Sequence, residues 1–300
     1  MNNLLKIEGL SKHYDGFDLV DVDLEIPAGM VVGLVGSNGA GKTTIIKSLL
    51  GLIKPDAGTV NIFGERIFDA TNKGFDDAKL SALKENIGVV FDTCAFPSET
   101  RVKDVGFMMK NAYKSWDEES FQSYLHKFGL SPKKGIKELS RGMGMNLSLA
   151  CALSHGAQLL ILDEATAGLD PLARDEVLEL FQQFMADEKH AILMSSHITS
   201  DLEKIADFIV CIDNGRIIFS VEKDVITDSA GIAQCRTTDL ERIVADGYFA
   251  SGELRILRRE FGTMILVPDR FEFQQAYRDI AVERASIDEY MSLLLKGEQR

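Results

Sequence analysis

The sequence predicts an α/β fold built on a parallel core sheet, and three observations predict it. Val31–Val35 is an apolar run that opens onto a glycine-rich loop, after which Ile45, Ile46, Leu49 and Leu50 recur at helical spacing. Residues 159–162 form a second apolar run, which ends in Asp163 and Glu164. Residues 191–194 form a third, followed by Ser195, Ser196 and His197. Strands apolar along their whole length are those buried on both faces, as in a parallel sheet covered by helices.

The first run leads into Gly36-Ser37-Asn38-Gly39-Ala40-Gly41-Lys42-Thr43-Thr44, the stretch around which the chain is organised. Its glycines permit a backbone in which successive N–H groups turn towards one anion, and the positive end of the following helix points at the same place. Lys42 adds a full charge within reach of β- and γ-phosphates, and the Thr43 hydroxyl is placed to ligate Mg²⁺. The complete G-x-x-x-x-G-K-[ST] string, in strand–loop–helix context, therefore predicts binding of a nucleotide polyphosphate.

The chain has 300 residues, 45% of them hydrophobic, enough for a substantial core in one or two domains. A net charge of −13 argues against broad attachment to nucleic acid or to anionic lipid heads. Cys94, Cys151, Cys211 and Cys235 form no C-x-x-C pair, so reduced thiols in a cytoplasmic setting are expected. Charge arrives too early after Met1 for a signal peptide, and no apolar run approaches a membrane span. If the protein works at a membrane, another chain supplies the span.

In chain order, residues 4–8, 19–26 and 58–63 alternate as strands and are expected to form a small antiparallel sheet, with Asp15-Gly16 as a turn. Tyr14 stands before the second strand, where its ring is open to stacking on a purine or to plain packing. Residues 77–155 read mostly as helix, an inserted helical region. Within it Ser115-Trp116-Asp117-Glu118 reads as a capping box, Phe121, Leu125 and Phe128 share one face, and Gly129 is a stop. The acids at 117–119 suit a helix N-terminus better than a metal site. Ser140 then caps a helix carrying Leu147, Leu149 and Leu153.

Asp163 and Glu164 stand at the carboxyl end of a core strand, where open α/β sheets place ligands. Neighbouring like charges there call for a cation. Magnesium held by Thr43 and Asp163 would supply it, leaving Glu164 to take a proton from an attacking water. Asp170 and Pro171 read as N-cap and first position of the next helix. His197, just past a core strand, is placed to touch a γ-phosphate. Asp213-Asn214-Gly215 between two apolar runs is the strongest hairpin signal and closes a first domain, residues 1–220.

With these residues assembled, the chain resembles the ATP-binding subunit of an ABC transporter over residues 4–220. The resemblance implies a P-loop ATPase domain with a parallel core sheet, a small antiparallel sheet and a helical subdomain at about 92–155. Tyr14 matches the adenine-stacking aromatic, residues 139–143 the signature, residues 167–170 the D-loop and His197 the switch histidine. In this family two subunits close head to tail around two ATP molecules. Ser140 and Gly142 of one copy would meet the γ-phosphate held by Lys42 of the other, with Asp170 in the D-loop between them. The implied partners are a similar ATP-binding subunit, as homodimer or heterodimer, and a separate transmembrane permease, which would hold the protein on the inner face of the cell membrane.

The chain departs from the pattern at three places. Asp92 stands where glutamine is usual after the central strand, and it is a shorter metal candidate without a hydrogen to donate when ionised. Arg141 and Met143 replace glycine and glutamine in the signature. Ala165 replaces a proline. Because Lys42, Asp163, Glu164 and His197 are all present, an active Mg²⁺-dependent ATPase is expected. Residues 221–300 lack these motifs and read as a small α/β appendage ending in a helix, with Gly262-Thr263 as a turn and a solvated basic cluster at Arg255, Arg258 and Arg259. Such tails resemble those of exporter subunits. The rival class, an ABC ATPase acting on nucleic acid, is disfavoured by the single ATP-binding unit, the acidic balance and the lack of a heptad insertion or basic arm. A low-turnover regulatory module would be favoured only by Asp92 and Arg141.

Overall fold

The computed structural model describes residues 2–72, 74–259 and 262–300, which divide into two compact units, residues 1–219 and 220–300. The first unit opens with a twisted antiparallel sheet made of β1 (Asn3–Tyr14), β2 (Phe17–Pro27), β4 (Ala57–Ile62), β5 (Glu65–Asp69) and β6 (Gly74–Phe75), in the order β2-β1-β4-β5-β6. β1 runs beyond the expected residues 4–8. The alternation breaks at Gly9, whose φ of +61° accommodates a register shift between Ile7 and Leu10, and pairing then resumes to Tyr14 opposite Phe17.

The core sheet holds β3 (Val31–Val35), β7 (Ile87–Val90), β8 (Leu159–Asp163), β9 (Ala191–Ser195), β10 (Phe208–Asp213) and β11 (Arg216–Glu222), ordered β11-β10-β3-β9-β8-β7. Its β10–β3, β3–β9, β9–β8 and β8–β7 pairs are parallel. Every residue of β3, β8 and β9 is buried, as continuous apolar strands require. The carboxyl ends of these three strands therefore lie side by side, and the site is built there. Helix α1 (Lys42–Leu49) follows β3 and buries Ile45, Ile46 and Leu49 in the core shared by the two sheets.

α2 (Asp77–Leu83) precedes β7, and the helical region carries α3 (Val102–Ala112), α4 (Glu118–Lys127) and α5 (Arg141–Leu153) around a core of its own that includes Val102, Val105, Phe121, Leu125 and Leu147. The cap of α4 is Asp117 and not Ser115. The Asp117 carboxylate accepts from the N–H groups of Glu119 and Ser120, while the Ser115 hydroxyl donates to the His155 carbonyl at 2.5 Å. An anionic acceptor close to two free N–H groups outcompetes a hydroxyl further back. Gly129, at φ +63°, ends that helix as expected. α6 (Pro171–Phe184) and α7 (Thr199–Ile205) follow β8 and β9.

The second unit is an antiparallel sheet of β12 (Gly231–Cys235), β13 (Arg255–Arg259), β14 (Gly262–Val267), β15 (Val282–Arg284) and β16 (Glu298–Gln299), ordered β15-β12-β14-β13-β16, with α8 (Thr237–Ala245), α9 (Arg270–Ala276) and α10 (Ile287–Lys296). Gly262 and Thr263 are not a turn. They lie in β14, where Gly262 pairs with Arg259 and Thr263 with Arg258; residues 260–261 lie outside the described residues. The unit does not end on its helix either, because β16 returns to pair with Arg255 and Ile256. Among the described residues no helix is long and apolar enough to cross a membrane.

Candidate functional site

The loop between β3 and α1 is held by residues far along the chain. Gly36 has φ +156°, and a Cβ there would stand 2.2 Å from the Ile212 carbonyl oxygen, so only glycine fits. The Ser37 hydroxyl donates to Asp213 at 3.3 Å, and the Gly215 N–H donates to the Ala40 carbonyl at 3.0 Å. Ser37, Asn38 and Gly39 are exposed, whereas Ala40 and Gly41 are buried. Gly41, at φ +119°, caps α1, and no acid occupies the first turn of that helix itself. Thr44 lies half-buried on the first turn.

Lys42 is buried, and its ammonium donates to the carbonyls of Gly36 at 2.8 Å and Ser37 at 3.3 Å, with Glu164 Oε1 at 3.9 Å. The Thr43 hydroxyl donates to Asp163 Oδ2 at 2.9 Å. Asp163 is 2% exposed, and its second oxygen accepts from the Ser195 hydroxyl at 2.6 Å, across the β8–β9 pair. A buried carboxylate with both oxygens hydrogen-bonded is held in one orientation. Ser195 was not among the sequence candidates. Its signal is a hydroxyl at the end of an otherwise apolar strand, one strand over from the acid.

Glu164 adopts φ +56°, a left-handed conformation that costs a residue with a Cβ about 1–2 kcal/mol. The conformation is fixed by its N–H, which donates to the Ser195 carbonyl at 3.1 Å and the Ser195 hydroxyl at 3.2 Å. The carboxylate is thereby turned towards His197, whose Nδ1 lies 2.5 Å from Oε2 and whose backbone N–H donates to the same oxygen at 3.2 Å. Lys42, Thr43, Asp163, Glu164 and His197 thus come together at the ends of β3, β8 and β9.

Other candidates stay apart. Ser140 is exposed and caps α5 by accepting from the Met143 N–H at 3.2 Å. Gly142 packs on the D-loop, where a Cβ would meet Leu169 at 3.2 Å, and Asp170 caps α6 through the N–H groups of Leu172 and Ala173. Asp92 is exposed in the loop after β7. Tyr14 is exposed, its ring 6.4 Å from that of Phe17, which in turn borders Gly41. Among the described residues no three His, Cys, Asp or Glu side chains group closely enough to hold a metal by themselves. Two hard oxygen donors 2.9 Å apart, Thr43 and buried Asp163, do suit Mg²⁺, which takes few protein ligands and completes its shell with water and phosphate.

Residues 19–167 match the family model described as ABC transporter. The chain is 34% identical over 221 residues to the energy-coupling factor transporter ATP-binding protein EcfA2 of Ligilactobacillus salivarius (strain UCC118), covering 70% of this chain and 74% of that protein. It is 36% identical over 224 residues to the lantibiotic transport ATP-binding protein SrtF of Streptococcus pyogenes, covering 74% and 92%. A solved ATP-binding subunit of an ABC transporter superposes with a TM-score of 0.65 at 29% identity, covering 74% of this chain and 91% of that one. Shared sequence over most of the length of two such subunits, on the same fold, settles the class: the chain belongs to the ABC transporter family as an ATP-binding subunit, an ATPase that powers transport.

Proposed function

We propose that two copies of this chain, or one copy and a similar subunit, close head to tail on two ATP molecules and drive export through a separate membrane protein. The observation that carries this reading is the division of the site. The loop, Asp163, Glu164 and His197 converge within one copy, while the Ser140 hydroxyl accepts from its own helix and Ser140 is exposed to solvent. A helix N-terminus directed outward beside the D-loop suits an anion presented by a second molecule.

In this reading Lys42 leaves the carbonyls of its loop for the β- and γ-phosphates, and the N–H groups of residues 36–44 surround the same oxygens. Tyr14 stacks on adenine. Ser140 and Gly142 of the second copy close on the γ-phosphate, and Asp170 holds the D-loop beside them. Thr43 and Asp163 would hold Mg²⁺, which neutralises charge on the phosphates when bound, and Asp92 lies on the adjacent strand end as a further candidate ligand. Glu164 takes a proton from a water that attacks the γ-phosphorus, the bond to the β–γ bridging oxygen breaks, and ADP and phosphate leave. His197 keeps the Glu164 carboxylate aimed and sits beside the transferred phosphoryl group.

The helical region at about 92–155 would contact the membrane subunit, residues 1–220 would form the ATP-binding domain and residues 221–300 an accessory domain. The protein would then work on the inner face of the cell membrane, held there by its partner. Export is the proposed direction, in keeping with the relative named for lantibiotic transport, which is matched over most of its length. Glu164→Gln protein mixed with ATP and Mg²⁺ is expected to elute as a stable dimer, and with ADP as a monomer. Elution as a monomer under both conditions would overturn the two-copy reading. Co-purification with nucleic acid instead of a polytopic membrane protein would overturn the transport role.

A further inference from the structure

Arg174 and Asp201 form a buried contact that the proposed chemistry does not use. Asp201, on the first turn of α7, has a side chain only 2% exposed, and the cation facing it is Arg174 of α6, at 3.8 Å from Nε to Oδ2. Neither atom has a hydrogen-bond partner among the described residues. A carboxylate removed from water is costly unless compensated, so this pair is held together by the packing of the two helices. Arg174 also reaches back, its Nη2 donating to the Leu169 carbonyl in the D-loop at 3.4 Å. One guanidinium therefore touches the D-loop on one side and α7 on the other.

The position of α7 gives this contact its meaning. Its first turn is joined directly to the histidine: the Asp201 N–H donates to the Ile198 carbonyl at 3.2 Å, and Ile198 is the residue after His197. The physical chain runs from Leu169 through Arg174 and Asp201 to Ile198, His197 and Glu164. A second, exposed ion pair, between Lys204 of α7 and Asp175, the residue after Arg174 on α6, ties the same two helices at 2.6 Å. We infer that Arg174 and Asp201 are positioning residues that fix the D-loop and the His197–Glu164 pair as one body, so that a second copy pressing on the D-loop seats the residues that act on water. This rests on the two-copy reading above. It adds the route by which contact at the interface reaches the attacking water.

Removing Arg174 alone leaves Asp201 buried without a cation, and the resulting loss of stability would hide any effect on catalysis. The test therefore uses Arg174→Met with Asp201→Leu, an apolar pair of similar volume that restores packing without the charges. ATP turnover, KM for ATP and thermal midpoint are measured for the double variant, both single variants and Arg174→Lys. The expected result is a double variant with a near-native thermal midpoint and KM but kcat lowered about tenfold or more, since small misplacement of catalytic groups has effects of that size. Arg174→Lys is expected to recover part of kcat. A double variant with native stability and native kcat would show that the pair is structural only and overturn the inference. ATP-dependent dimerisation of Glu164→Gln, run alongside with and without the double substitution, separates the two proposals. Failure of Glu164→Gln to dimerise sinks the two-copy reading, whereas a dimer with unchanged kcat in the double variant sinks only this coupling.

Discussion

His197 holds one oxygen of Glu164 twice, through Nδ1 at 2.5 Å and through its backbone N–H at 3.2 Å, while the other oxygen faces Lys42 at 3.9 Å. The carboxylate is aimed by the histidine and not by solvent. His197→Ala removes the ring contact but keeps the backbone one. Turnover should fall by about a hundredfold while KM for ATP changes by less than about twofold. Steady-state ATPase assays check this, and a large rise in KM would assign the ring to ground-state binding instead.

Glu164 is kept at φ +56° by its two hydrogen bonds to Ser195. Glu164→Ala and Glu164→Gly both lose the carboxylate and are both expected to be inactive. Only glycine relaxes in a left-handed conformation, so Glu164→Gly should be the more stable of the two by about 1 kcal/mol. Chemical denaturation of the pair measures the difference, and equal midpoints would mean that the backbone there carries no strain.

The loop glycine Gly36 leaves no room for a methyl group, which would meet the Ile212 carbonyl oxygen at 2.2 Å. Gly36→Ala must displace either the loop or the end of β10. It should destabilise the protein by about 2–3 kcal/mol and abolish ATP binding. Fluorescent-nucleotide titration and thermal melts report the two effects, and native affinity in Gly36→Ala would refute the fit described for this loop.

His155 is buried, stacked on Tyr113 at 4.0 Å between ring centroids, and its Nδ1 donates to the Glu85 carbonyl at 3.1 Å. Burial pushes its pKa below the ordinary 6.5, so the folded chain binds a proton less readily than the unfolded one. The stability this gives is complete above pH 6.5 and is lost as pH falls below it, towards the lower folded value. Denaturation midpoints between pH 7.5 and pH 5 should drop more steeply for the native protein than for His155→Gln. Parallel curves would remove His155 as a contributor.

What could be read from the sequence was local. The glycine loop, the acids ending β8, the Asp170 cap and the Asn214-Gly215 turn each depend on residues within a few positions, and each stands where its pattern put it. What could not be read depends on contacts between distant segments. Ser195 matters because β9 lies beside β8, a neighbour relation absent from either strand's own pattern. Arg174 and Asp201 meet only because α6 and α7 pack together. Asp117, and not Ser115, caps α4, while the Ser115 hydroxyl meets the His155 carbonyl, 40 residues away, a contact its local pattern does not show. Gly262 and Thr263 resemble a turn by residue type, yet pairing with β13 draws them into a strand.

The loop proposed to grip phosphate leans on residues 212–215, through Gly36 against Ile212, Ser37 on Asp213 and Ala40 on Gly215. During synthesis the ribosome releases that loop long before it releases its buttress. A nascent chain shorter than about 215 residues carries the whole motif but not the wall that shapes it. The wall that shapes this loop is therefore complete only when the chain extends through Gly215, so the glycine motif and its fold-dependent support are separated by most of the first unit.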